Sequence, residues 1–184
     1  MLEILILGRG GQGAQTAGNQ LAQAFFAAGS YVQTFATYGG ARRGTPVTSS
    51  LRVDDRAIRL RCNITSAQAL LCFDDSLLDA AFLEQGADDA VILVNSSRPA
   101  SAYTPRANQR IVPVDARAIA QRNDMGKVVN SALLGAFVAA LGRPDIETLA
   151  RVIHDSAPAK KDQNVAAARE AYGLLVATPV AEGV

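Results

Sequence analysis

Residues 2–7 (Leu-Glu-Ile-Leu-Ile-Leu) form a short, largely apolar run that stops at glycine, the pattern of a strand buried on both faces. Residues 12–28 follow, rich in Ala, Gln and Leu. Leu21, Phe25 and Ala28 sit there at helical spacing, and Gly29 is placed to stop the helix. Residues 31–37 alternate as a second strand. Strand, glycine turn, helix and strand together predict a right-handed βαβ unit.

Residues 38–46 are a glycine-rich loop. Residues 47–53 and 57–60 flank Asp54-Asp55, which predicts a hairpin turning at the two aspartates. Three more strands are expected over 69–73, 91–95 and 110–114. Residues 96–108, polar and carrying two prolines, read as a surface loop. Helical spacing covers 116–121, 131–141, 146–154 and 164–175. Pro144-Asp145 starts one of these helices, and residues 158–161 separate the last two. Strands interleaved with helices predict one three-layer α/β domain over residues 1–184. Its sheet is mixed but mostly parallel, with a Rossmann-like glycine turn and a β-hairpin.

At 184 residues and 49% hydrophobic, the chain has the material for one substantial core. A net charge of +1 gives no pull toward nucleic acid or acidic lipid. No apolar run is long enough to span a membrane. The chain enters a strand at once, with no basic segment or cleavage signal, which points to a cytoplasmic protein. Its two cysteines, Cys62 and Cys72, are too few to ligate an iron–sulfur cluster alone. They read as buried thiols of a reducing compartment.

Candidate chemistry gathers at the glycines. Gly8, Gly10 and Gly13 fit G-x-G-x-x-G between a strand and a helix, with Arg9, Gly11 and Gln12 filling the motif. Glycine lets the chain turn tightly and lets a phosphate approach the amides. The helix N-terminus adds unpaired N–H groups and a partial positive charge. A nicotinamide site of the usual kind also needs an acid closing the second strand. No Asp or Glu occurs from Ile4 through Val53. That disfavours NAD and leaves an anion site, with a stand-alone NADP-binding oxidoreductase, through Arg42 or Arg43, as an alternative.

The acid-free stretch carries Arg9, Arg42, Arg43 and Arg52. Arg9 and Arg42-Arg43 lie in glycine loops that follow strands, at the carboxyl edge where open α/β folds bind ligands. With Tyr38, Gly39 and Gly44 they predict a basic, glycine-lined edge, and arginine forks suit phosphate and carboxylate oxygens. Acids of a neighbouring subunit compete as partners for Arg42-Arg43. Asp74-Asp75 read as a helix cap. His154, the one histidine, reads as a helix-end residue, and Lys160-Lys161 as a solvated pair. Ser131 has no base near it in sequence, and no catalytic residue is assigned.

Two motifs together carry a resemblance. Gly8-Arg9-Gly10-Gly11-Gln12-Gly13 resembles the G-x-G-G-Q-G opening of the gamma subunit, or gamma domain, of the 2-oxoacid:acceptor (pyruvate/ketoacid:ferredoxin) oxidoreductases. Tyr38-Gly39-Gly40-Ala41-Arg42-Arg43-Gly44 resembles that family's Y-G-x-E-x-R-G loop, with Ala41 where the family carries Glu. Residues 130–137, with Leu134-Gly135, are similar to its Asn…Leu-Gly helix, and Lys161 with Asn164 to its Lys-x-x-Asn element. The resemblance implies a subunit that is not catalytic alone. Its complex would oxidatively decarboxylate a 2-oxo acid to an acyl-CoA. This chain would bind coenzyme A at its edge and help assembly. Partner thiamine-binding and ferredoxin-like subunits would hold thiamine diphosphate, Mg and the Fe–S clusters, and ferredoxin or another acceptor would take the electrons. A purely structural adaptor is the remaining alternative.

Overall fold

The computed structural model describes residues 1–38 and 44–177. Six strands among them form one mixed sheet in the order β2-β3-β1-β4-β5-β6. β1 (Leu2–Arg9), β4 (Ala67–Cys72), β5 (Gly86–Asn95) and β6 (Arg110–Val114) run parallel to one another. β3 (Pro46–Asp54) runs antiparallel to both of its neighbours, β1 and β2 (Tyr31–Tyr38). The sheet is therefore mostly parallel and mixed, as expected. The opening βαβ unit is split: β1 and β2 point the same way across α1 (Ala14–Ala27), but β3 lies between them.

The hairpin exists, but not at Asp54-Asp55. It joins β2 to β3 through residues 39–45, and residues 57–60 form no strand. The reason is the occupancy of β3, whose two edges are already taken by β1 and β2. β3 thus offers no free edge to the sequence after Asp54. β5 also begins earlier than its apolar run indicates, because Gly86 pairs with Ala67 before the bulge that precedes Ala69–Val91.

The strands alternate between two cores. Ile4, Ile6, Leu51, Ala69, Leu71 and Leu93 face α1, α3 (Ala116–Arg122), α4 (Asn130–Leu141), α5 (Ile146–Ser156) and α6 (Lys161–Ala177). Leu5, Leu7, Leu70, Ile92 and Val94 face a thinner layer containing Ile64 and Phe82, the latter on α2 (Ala80–Leu83). All the long helices therefore cover one face of the sheet.

α4 is the central helix of that layer. Ser131 through Val138 are all buried, so it carries apolar residues all round rather than on one stripe. α5, at the periphery, buries only Leu149, Ala150 and Ile153. α4 and α6 approach unusually closely at Gly135: a Cβ there would stand 2.0 Å from the carbonyl oxygen of Ala168. One turn away, Ser131 Oγ donates to Asn164 Oδ1 at 2.6 Å, and Asn164 Nδ2 donates to the carbonyls of Ala159 and Lys160.

Arg52 is not a free cation of the ligand edge. It is 1% exposed and donates to Glu3 at 2.7 Å, to Gln33 at 3.0 Å and to the Cys62 carbonyl at 2.9 Å. Its guanidinium also lies 5.7 Å from the Phe35 ring centroid. Its pairing acid comes from residue 3, just outside the acid-free stretch. Removing one partner of such a buried pair costs about 3–5 kcal/mol. Of the two cysteines, Cys72 is buried, but Cys62 is exposed, which corrects the expectation of two buried thiols.

Candidate functional site

β1 runs into the glycine loop, and the loop's geometry is set mainly by its own Gln12. Gln12 N donates to the Arg9 carbonyl at 2.9 Å, and Arg9 N donates to Gln12 Oε1 at 2.7 Å. This pair of bonds closes a tight turn. Gly13 then takes φ +92° as the N-cap of α1. The helix start has no side-chain cap bond and no acid in its first turn, so its positive end faces out of the loop.

Two further helices begin beside it. Asn130, the first residue of α4, donates from Nδ2 to the Gly13 carbonyl at 3.0 Å. Asp115 caps α3 by accepting from Ala118 N at 2.9 Å. Asn95, which ends β5, holds the neighbouring strand end in place: it donates to the Phe73 carbonyl at 3.1 Å and accepts from Ala116 N at 3.2 Å. The result is a cleft of about 900 Å³ outside the carboxyl ends of β1, β4 and β5, with Gly11, Gln12, Gly13, Asn95, Asp115 and Asn130 in its lining. A smaller hollow of about 320 Å³ lies around His154 between α5 and α6, away from the strand ends.

The charges of the cleft divide into spent and unspent. Asp74 Oδ2 accepts from Arg9 Nε at 2.9 Å and from Gln12 Nε2 at 3.2 Å, and Oδ1 accepts from Ser76 N and Oγ. Partial burial alone would raise its pKa, but the hydrogen bonds from Ser76, Arg9 and Gln12 outweigh it and hold the carboxyl below its ordinary value. Asp75 accepts from Ser96 Oγ at 2.9 Å and from Tyr103 OH at 3.3 Å. Arg98 donates to the Ala102 carbonyl and lies 5.0 Å from the Tyr103 ring centroid. Arg117 and Lys127 also line the cleft, and neither has a hydrogen-bond or ion-pair partner among the described residues. Among those residues Asp75 and Asp115 meet only hydroxyl and backbone donors, so the cations left without any partner are Arg117 and Lys127.

Gly11, Gln12 and Gly13 thus line the cleft. Gly8 and Arg9 still belong to β1, paired with Val47 and Pro46. Arg9 is turned aside: its guanidinium is held by Asp74, by Ser76 Oγ at 2.9 Å and by the Gly44 carbonyl at 3.4 Å. The expectation of an unopposed basic edge is corrected at this residue, because its counter-charge arrives from the end of β4. The described end of the second glycine loop lies beside the first, with Gly10 N donating to the Thr45 carbonyl at 2.8 Å and Gly44 N to the Gly10 carbonyl at 3.2 Å. Tyr38 ends β2 opposite Val47. Gly39, Arg42 and Arg43, with Gly40 and Ala41, lie outside the described residues.

Asp74 caps a short 3₁₀ turn over Asp75–Leu77, in keeping with the capping reading. Lys160 and Lys161 are both exposed, in keeping with a solvated pair, and Lys160 donates to the Asp124 carbonyl. Sequence reasoning missed Arg117 and Lys127, which sit on a predicted helix and a connector with no motif around them. Asn95 left a faint signal, a polar residue closing an apolar strand.

The chain matches the family model for pyruvate ferredoxin/flavodoxin oxidoreductase over residues 3–174. It is 37% identical over 177 residues to the pyruvate/ketoisovalerate oxidoreductases common subunit gamma of Pyrococcus furiosus, covering 94% of this chain and 96% of that one. It is 38% identical over 174 residues to the pyruvate synthase subunit PorC of Methanothermobacter marburgensis, covering 94% and 96%. Among solved structures it is similar to the pyruvate oxidoreductase subunit PORC of Thermotoga maritima, with a TM-score of 0.81 and 32% identity over 93% of this chain and 94% of that one.

Proposed function

Because the chain belongs to the pyruvate ferredoxin/flavodoxin oxidoreductase family, as a gamma subunit, we propose that its carboxyl-edge cleft contributes the anion-binding wall for coenzyme A in a thiamine-diphosphate-dependent complex. The observation that carries this reading is the pair of unpartnered cations, Arg117 and Lys127, facing a cleft with the N-termini of α1 and α4 in its lining. Coenzyme A has phosphates that suit both features. When bound, it supplies the thiol that accepts the acyl group.

The residues of this chain do no bond-making in the reaction. Gln12 fixes the glycine turn, Asn130 fixes α4 against α1, and Arg117 with Lys127 neutralises phosphate charge. Cys72 is a poor ligand for a cluster, since burial pushes its thiol up to about 12. Thiamine diphosphate, Mg and the Fe–S clusters therefore belong in this reading to partner subunits of a cytoplasmic complex, with ferredoxin or another acceptor taking the electrons. Within that complex the chain acts as one gamma-type domain.

Purification of the native protein tests the assignment. Co-elution with thiamine-binding and cluster-bearing chains, in constant ratio through gel filtration, is the expected result. A chain that elutes alone from its native source contradicts it.

A further inference from the structure

Among the described residues, β2 is an open edge of the sheet. It pairs with β3 along all eight residues without a register shift, and none of residues 31–37 is buried. Its sequence, Tyr-Val-Gln-Thr-Phe-Ala-Thr-Tyr, holds no charge and no proline. Charges, prolines, bulges and short length are the devices that keep an edge from pairing further. The opposite edge has two of them: β6 is five residues long and contains Pro113, which lacks a donor. β2 has none, although it ends a sheet whose other margin is blunted.

A second feature lies beside that edge. The segment after β3 is tied to β2 and β3 by side chains: Gln33 Nε2 donates to the Leu60 carbonyl at 2.9 Å, and buried Arg52 donates to the Cys62 carbonyl at 2.9 Å. This pinned segment exposes Arg59 and Arg61 on either side of Leu60, which is 43% exposed. Neither guanidinium has a hydrogen-bond or ion-pair partner among the described residues. An unprotected strand edge and unpaired cations therefore adjoin.

We propose that the β2 edge is the docking site for another subunit of the same oxidoreductase complex, which adds an extended acidic segment to the sheet and sets its carboxylates against Arg59 and Arg61. Main-chain bonds to the edge give such a contact its affinity, and charge complementarity gives it register and specificity. A second copy pairing through its own β2 fits less well, because that strand brings no acid to the arginines. The inference rests on the reading of the chain as a gamma subunit, and its test separates the two.

Hydrogen exchange is measured on the free chain and on the purified complex. The β2 amides are expected to exchange at least about tenfold more slowly in the complex, where an added strand bonds them, while the β6 amides stay unchanged. The Arg59→Glu/Arg61→Glu variant, altered only on an exposed coil, is expected to keep the melting temperature of the free chain. It should leave the complex at lower salt, with roughly tenfold weaker retention. Equal exchange of β2 in both states overturns the proposal, as does unchanged retention of the variant. Protection that already appears in the concentrated free chain assigns the edge to a second copy and overturns the stated occupant. If the wild-type chain joins no complex at all, the gamma-subunit reading falls, and this inference falls with it.

Discussion

Asn130 Nδ2 donates to the carbonyl of Gly13 at 3.0 Å and so ties the N-terminus of α4 to that of α1. The same side chain fills the space over Gly13, where a Cβ would stand 2.3 Å from Asn130 Nδ2 on a backbone with φ +92°. Gly13→Ala is therefore expected to cost about 2–4 kcal/mol, part from the left-handed backbone and part from the displaced amide. Urea unfolding measures it. Adding Asn130→Ala should recover the steric part and leave the backbone part.

Gly135 and Gly173 make a contrasting pair. A Cβ on Gly135 would press on the Ala168 backbone, which cannot move without separating α4 from α6, whereas one on Gly173 meets nothing within 4 Å. Gly135→Ala is expected to destabilise by about 3 kcal/mol or more through overpacking and helix displacement. Gly173→Ala, within α6, should stabilise by about 0.5–1 kcal/mol through helix propensity. The two melting temperatures should move in opposite directions.

These contacts explain how much of the molecule was legible beforehand. The glycine turn and the strand and helix centres follow from local pattern, because apolar spacing and glycine act on nearest neighbours. Asn130, Gly135 and Asn164 were visible only as a family resemblance. Their physical work is to hold α1, α4 and α6 together, and it depends on residues far along the chain, such as Gly13, Ala168 and Ser131. The misplaced hairpin has a similar origin, since only the sheet order reveals that β3 has no free edge. The pairing of Arg9 with Asp74 crosses from β1 to the end of β4, so a charge that looked unopposed in sequence is opposed in space.

The cysteines should differ in reactivity. The thiol of Cys72 is pushed up to about 12, chiefly by burial and also by the nearby acids Asp74, Asp75 and Asp79. Cys62 is exposed. At mildly alkaline pH the folded free chain should therefore alkylate at Cys62 alone, because thiolate and access are both needed. Mass spectrometry should show the second adduct only after unfolding. Rapid native modification of Cys72 contradicts the packing around β4.

Asp74 links stability to acid. Its carboxyl is held below the ordinary value of 3.8, with hydrogen bonds from Ser76, Arg9 and Gln12 outweighing the opposing effect of partial burial. A depressed folded pKa means that the stabilisation is present above the unfolded value and is lost as pH falls through the folded one. Ser76→Ala removes a donor and should move the acid-unfolding midpoint to higher pH, followed by circular dichroism. Asp74→Asn should remove this residue's share of the acid dependence altogether. An unmoved midpoint in both variants contradicts the assigned bonds.

The central claim is that this subunit supplies anion contacts for coenzyme A from Arg117 and Lys127. Titration calorimetry of coenzyme A against the intact complex, wild type and Arg117→Ala/Lys127→Ala, tests it most directly. Losing charge-assisted contacts is expected to weaken binding roughly tenfold or more, with subunit composition unchanged. Equal affinity in wild-type and variant complexes of the same composition contradicts the claim and places the phosphate contacts on other chains.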